Sequence, residues 1–133
     1  MVGRWSKQVV VAESAPRAIG PYSQAVRVGP WLFVSGQIAL DPRSGEMVTG
    51  GFEAELRQVL ENLGAILRAA EMDYRDVVQV TVFLRDLSHY AKLNEIYAQY
   101  FQSEFPARCA VQVARLPRDA SVEIAVVAYR ARR

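Results

Sequence analysis

The stretch that most limits the fold is residues 121–129, S-V-E-I-A-V-V-A-Y, because it is apolar whichever way it is turned. Successive side chains of a strand point to opposite faces. Val122, Ile124, Val126 and Ala128 therefore share one face, and Glu123, Ala125, Val127 and Tyr129 share the other. A strand apolar on both sides belongs where both sides are covered. Residues 31–38 repeat the pattern, with Trp31 and Phe33 opposed to Leu32 and Val34. Any fold for this chain has to supply a cover for each face of its sheet.

The elements available for that task are few. Strands are predicted over 8–12, 25–28 and 31–38, and Gly29-Pro30 joins the last two as a hairpin. Asp41-Pro42-Arg43-Ser44-Gly45 opens a polar loop. From Phe52 the apolar period changes. Phe52, Leu56, Val59, Leu60, Leu63, Ile66 and Leu67 draw one stripe along a helix, with Glu53, Arg57, Glu61 and Arg68 off it. A β-branched strand follows over 77–84. Asp86 or Ser88 is suited to cap a second helix whose buried side carries Tyr90, Leu93, Tyr97, Tyr100 and Phe101. Phe105-Pro106 ends that connection, and strands over 108–114 and 121–129 close the chain. The order β-β-β-α-β-α-β-β predicts an α+β two-layer sandwich, a mixed sheet with two helices on one face. No repeat or linker divides it, so residues 1–133 read as a single domain. Two helices cover one face only, and the other face is expected to pack against neighbouring chains.

Composition narrows the class. A chain of 133 residues with 51% hydrophobic residues has a real core, and a net charge of +2 without a run of like charges makes nucleic acid an improbable partner. Arg130, Arg132 and Arg133 read as a solvated end. Cys109 is the sole cysteine, which excludes an intrachain disulfide and fits a reducing compartment. Residues 1–7 lack the apolar region of a secretory signal, and no apolar run approaches a membrane span, so a cytoplasmic location is expected. His89 is the only histidine. No cluster has metal-ligand spacing and no glycine-rich phosphate loop is present, so neither metal nor organic cofactor is expected.

The residues suited to chemistry lie between Pro106 and Ile124. Arg108 heads one strand and Glu123 sits inside the next, across a Leu-Pro-Arg-Asp turn in which Pro117 fixes φ and Asp119 is placed to bond nearby backbone. Read as neighbouring strands, they set a cation beside a carboxylate, an arrangement fit for a small anionic substrate that needs proton transfer. Alone, Arg108 also reads as a surface arginine at a strand end. Glu123, among Ala125 and Val127, is either paired by a cation such as Arg108, which makes a structural salt bridge a further reading, or has its pKa pushed upward. Ser35-Gly36 at a strand end offers a hydroxyl and a bare backbone for close approach, although such a pair is also an ordinary turn. Tyr22 follows Gly20-Pro21 on a stiff loop. Alternation turns Cys109 away from Arg108, alongside Val111 and Val113, so Cys109 reads as a small core residue and not a nucleophile.

The block P-A-R, an aliphatic strand and V-E-I, together with I-G-P-Y-S-Q-A at 19–25 and V-S-G-Q-I at 34–38, resembles the signature of the RidA/YjgF family of enamine and imine deaminases, also called the L-PSP endoribonuclease family. The likeness runs from about Val10 to Arg130. It implies a chorismate-mutase-like fold and a homotrimer in which the second sheet face lines a central barrel and the sites lie between subunits. It further implies hydrolysis of reactive 2-imino or enamine acids, such as 2-iminopropanoate, to 2-oxo acids and ammonia. By resemblance, Arg108 holds the substrate carboxylate and Glu123 positions or activates water. Tyr22, Ser35, Gly36 and Asn94 line the pocket. Ala110 stands where many relatives carry a pocket cysteine, a departure that bears on substrate preference. Two other roles attach to such chains: binding of a small metabolite, or a chaperone-like function, without turnover; and endoribonuclease or translation-inhibitor activity, which the absence of aromatic–basic interleaving does not favour.

Overall fold

The computed structural model describes residues 6–131. Arg132 and Arg133 of the basic end, and most of the 1–7 segment, lie outside the described residues. Six strands and two helices follow in the predicted order: β1 (Lys7–Val10), β2 (Ala25–Val28), β3 (Trp31–Gln37), α1 (Phe52–Ala69), β4 (Val77–Leu84), α2 (Tyr90–Tyr100), β5 (Ala107–Gln112) and β6 (Val122–Tyr129). Strand ends differ from expectation by one or two residues. Short 3-10 turns occupy Tyr74–Asp76, Leu87–His89 and Pro117–Asp119.

One mixed sheet holds all the strands, in the spatial order β1-β2-β3-β6-β4-β5, open at both edges. Only β4 and β5 run parallel, with α2 as their crossover. Gly29, at φ 57°, makes the β2–β3 turn that the Gly-Pro pair predicts. The α1 stripe from Leu56 to Leu67 is buried and packs with Leu93 and Ile96 of α2 against Leu32, Val80, Val82, Ile124 and Ala128 of the sheet. Each fully buried Leu or Ile contributes roughly 2 kcal/mol of apolar burial to this layer. The opposite face carries no helix. Trp31, Phe33, Val111 and Tyr129 lie exposed on it, and Trp31 meets Tyr129 edge to face at 4.8 Å.

Five details differ from the reading of the sequence. Tyr90 is 42% exposed, and Ile96 takes its place on the buried side. Asp86 accepts from the Ser88 N–H at 2.9 Å, but it caps the 3-10 turn that precedes α2 and not α2 itself. Cys109 is exposed. Alternation is right about its direction, since it pairs with Thr81 on the open face, but within one chain nothing covers that face, so it is not a core residue. Asp119 bonds Arg115 Nη2 at 3.1 Å instead of nearby backbone, and the reversal is made by Arg118 and Asp119 at positive φ. Arg130 is not merely solvated; it lies 3.8 Å from Asp76.

Candidate active site

The expected neighbours Arg108 and Glu123 are kept apart. In sequence β5 and β6 are consecutive, but β4 lies between them in the sheet. Arg108 pairs in register with Val80, which is buried under the helices, and Glu123 pairs with Phe83 on the other face. The cation and the carboxylate therefore occupy opposite faces of the sheet, and the expected salt bridge does not form within the chain. Each has its own surroundings.

Glu123 borders a cavity of about 400 Å³ whose walls include Tyr22, Ser35, Gly36, Ile38 and Pro117. A bulge between Val34 and Gln37 breaks the β3–β6 ladder at Ser35-Gly36 and turns this segment toward the cavity. Glu123 lies across Gly36: a β-carbon there would strike Oε2 and stand 2.9 Å from Cδ. Only glycine leaves room for the carboxyl. Burial pushes the Glu123 carboxyl above the usual carboxylate range. Of the two alternatives for a mid-strand glutamate, the raised pKa is the one realised.

The cavity walls are fixed from several directions. Gln24, which is buried, staples the loop carrying Tyr22. Its Oε1 accepts from the Ala12 N–H at 2.7 Å, and its Nε2 donates to the carbonyls of Ala12 and Pro16 at 3.0 and 2.8 Å. The Ser35 hydroxyl donates to the Ser23 carbonyl at 2.6 Å, so its lone pairs face the cavity as acceptors. Tyr22 Oη accepts from the Ile19 N–H at 3.3 Å, which leaves the phenol proton to give. Buried Asn62 of α1 donates to the carbonyls of Ile38 and Leu40 at 3.3 and 3.0 Å, fixing the floor. Glu55 accepts from Ser121 N and Oγ at 3.0 and 2.9 Å, anchoring the start of the strand that presents Glu123.

Arg108 lies in a cradle made by α2. Its Nη2 donates to Tyr90 Oη at 3.0 Å and to Asn94 Oδ1 at 2.8 Å. The guanidinium carbon sits 4.7 Å from the Tyr97 ring centroid and 5.5 Å from that of Tyr90, within cation–π range of both. Nε and Nη1 keep their protons for a ligand. Ala110, on the same face two residues along, packs against the core beneath.

The structure thus brings together Tyr22, Ser35, Gly36 and Glu123 as one group, and Asn94, Arg108 and Ala110 as another. Sequence reasoning missed Gln24, Arg17, Ile38 and Pro117 in or behind the first group, and the contribution of Tyr90 and Tyr97 to the second. Pro117 belongs to a turn the sequence marks plainly; Gln24 lies in the same motif as Tyr22, one residue past Ser23. Among the described residues no group of His, Cys, Asp or Glu is placed to hold a metal ion.

Fold and site define a class of small α+β chains that carry a guanidinium cradle on the helix side of a six-stranded sheet and a carboxyl cavity on the other. Comparison gives that class its family. The sequence model described as Endoribonuclease L-PSP matches residues 12–130. A RutC family protein of Pyrococcus horikoshii is 52% identical, over 93% of this chain and 98% of the relative. The human 2-iminobutanoate/2-iminopropanoate deaminase is 51% identical, over 92% of this chain and 89% of the relative. The crystal structure of RidA from an Antarctic Psychrobacter superposes with a TM-score of 0.90 at 45% identity, covering 92% of this chain and 99% of that one. The chain belongs to this family, the RidA/YjgF family.

Proposed function

We propose that the protein hydrolyses reactive 2-imino and enamine acids, such as 2-iminopropanoate and 2-iminobutanoate, to 2-oxo acids and ammonia. The carrying observation is the pair of half-sites: a carboxyl held above its usual range in a cavity, and a guanidinium with free donors, on opposite faces of one sheet. Such halves work together only when the cavity of one copy meets the cradle of another. The proposed unit is a homotrimer with its sites between subunits, and the apolar open face supports such an assembly. The name carried by the human relative supports the reaction.

Arg108 holds the substrate carboxylate with the guanidinium N–H groups that Tyr90 and Asn94 leave free, Asn94 fixing the guanidinium. Glu123, as carboxylate, takes a proton from water as the oxygen bonds to the imine carbon. The C=N π electrons move to nitrogen, giving a carbinolamine. The protonated Glu123 passes its proton to nitrogen to complete the neutral carbinolamine. Its carboxylate then takes the hydroxyl proton and delivers it to nitrogen as C=O forms, the C–N bond breaks and ammonia leaves, with Glu123 again a carboxylate. Ser35 accepts a hydrogen bond from the imine N–H or the water, while Tyr22 donates to the developing oxygen. Enamine substrates enter after protonation at carbon. Only protons are exchanged, so the chemistry needs no cofactor. Among the described residues no helix is long and apolar enough to cross a membrane. The lone free cysteine supports placing the activity in the cytoplasm.

The test supplies 2-iminobutanoate from an amino-acid oxidase, with semicarbazide competing for the imine. The protein is expected to divert imine from the trap, Arg108→Ala to lose this effect while folding normally, and Arg108→Lys to restore little, since a point charge does not reproduce the guanidinium geometry. Full activity of Arg108→Ala would end the reading. Equal inactivity of both proteins, with 2-oxobutanoate still bound by the wild type, would leave a metabolite binder; cleavage of RNA by the wild type would favour the ribonuclease description.

A further inference from the structure

Tyr90 touches the guanidinium from the first residue of α2, and what it does with its own proton has a consequence. A phenol oxygen offers one O–H donor and two lone pairs. The guanidinium stays protonated at every working pH, so in the 3.0 Å contact with Nη2 the tyrosine oxygen is the acceptor. Its proton must point elsewhere. No residue among those described accepts it, and Tyr90 is 42% exposed, so the O–H is free to turn to a ligand beside the guanidinium. Tyr97 differs, although its ring lies closer to the same cation. It is 6% exposed and its hydroxyl is buried without a partner, so it supports the guanidinium with its ring and reaches no ligand.

Asn94 behaves as Tyr90 does. Its Oδ1 is committed to Nη2 at 2.8 Å, which turns its amide N–H groups away from the cation. Arg108 Nε and Nη1, the Tyr90 O–H and the Asn94 N–H groups therefore form a rim of donors with no acceptor among the described residues. A carboxylate, whose two oxygens accept about four hydrogen bonds, satisfies such a rim better than a guanidinium alone satisfies the carboxylate.

We propose that Tyr90 is a substrate-binding residue, its hydroxyl donating to the carboxylate oxygen that Arg108 holds. The assignment rests on the role given to Arg108 above. Because carboxylate contacts are made equally before and during the reaction, losing the donor should weaken binding and leave the chemical step alone.

Tyr90→Phe keeps the ring over the cation and deletes the donor. In that variant KM for 2-iminobutanoate should rise about tenfold with kcat within about twofold of wild type. The dissociation constant of the stable product 2-oxobutanoate, measured by calorimetry, should rise by the same factor. A crystal structure of the variant should show Arg108 still seated on Asn94 and Tyr97. An unchanged KM and dissociation constant, in a protein whose Arg108→Ala form is inactive, overturns the Tyr90 assignment alone. A displaced guanidinium also overturns it, making Tyr90 a prop for Arg108. Full activity of Arg108→Ala would remove the carboxylate site itself, and Tyr90 with it.

Discussion

Glu123 shows how far a single residue is readable before its fold is known. A glutamate in mid-strand among Ala125 and Val127 has to be paired or to hold its proton more tightly, and which of the two occurs depends on a neighbour that sequence adjacency misplaces. With its own Arg108 on the other face, desolvation acts alone within one chain and the pKa rises. Two pH effects of opposite sign follow. As the base, Glu123 works deprotonated, so kcat/KM should climb with pH along a carboxyl limb, and Glu123→Gln should abolish the limb with most of kcat. Stability runs the other way. The folded protein holds this proton more tightly than the unfolded chain, so its contribution is full below the unfolded pKa and lost as pH rises through the folded one. Denaturant unfolding at a series of pH values should therefore show Glu123→Gln gaining on the wild type as pH rises across that window. Parallel curves would mean that Glu123 is not desolvated in solution.

Among the elements, periodicity and turn residues specify type and order, whereas spatial neighbours require information the pattern does not hold. The α1 stripe, the Gly29-Pro30 hairpin and the two-faced β6 are all present as read. What misled was the assumption that β5 and β6, consecutive and joined by a tight turn, lie side by side; consecutive strands usually do, but the parallel pairing of β5 with β4 places β4 between them. Tyr90 is the first residue of α2, directly after the 3-10 turn, and lies exposed, while the buried stripe runs through Leu93, Ile96 and Tyr97. The loop between β1 and β2 has no periodic signal, and a single side chain sets its course. Gln24→Ala would leave the Ala12 N–H and the Pro16 carbonyl without partners and the Ala12 carbonyl with only the Ala15 N–H, at a cost of about 3 kcal/mol. The urea midpoint should fall accordingly, and turnover should fall further than stability because Tyr22 loses its place. A loss under about 0.5 kcal/mol would show that water replaces the amide.

For the whole molecule the open face is decisive. Phe33 is 47% exposed and Tyr129 42%, beside Val127 and Ala125 on the same face, more apolar surface than a lone soluble chain usually leaves wet. Sedimentation equilibrium should give a trimer at micromolar concentration, and Phe33→Asp a folded, inactive monomer. The stricter test mixes two dead proteins. Co-expressed Arg108→Ala and Glu123→Gln chains should recover about a quarter of the wild-type sites, because an intact cavity and an intact cradle then meet at some interfaces. No recovery in mixed trimers would put each site within one chain, against the face assignment. Under the proposed assembly, the back-to-back placement of acid and cation makes dilution an inhibitor. A chain without neighbours owns both halves of a site and can close neither, so turnover per chain should fall wherever the protein is scarce, and activity should rise more steeply than the amount of protein made.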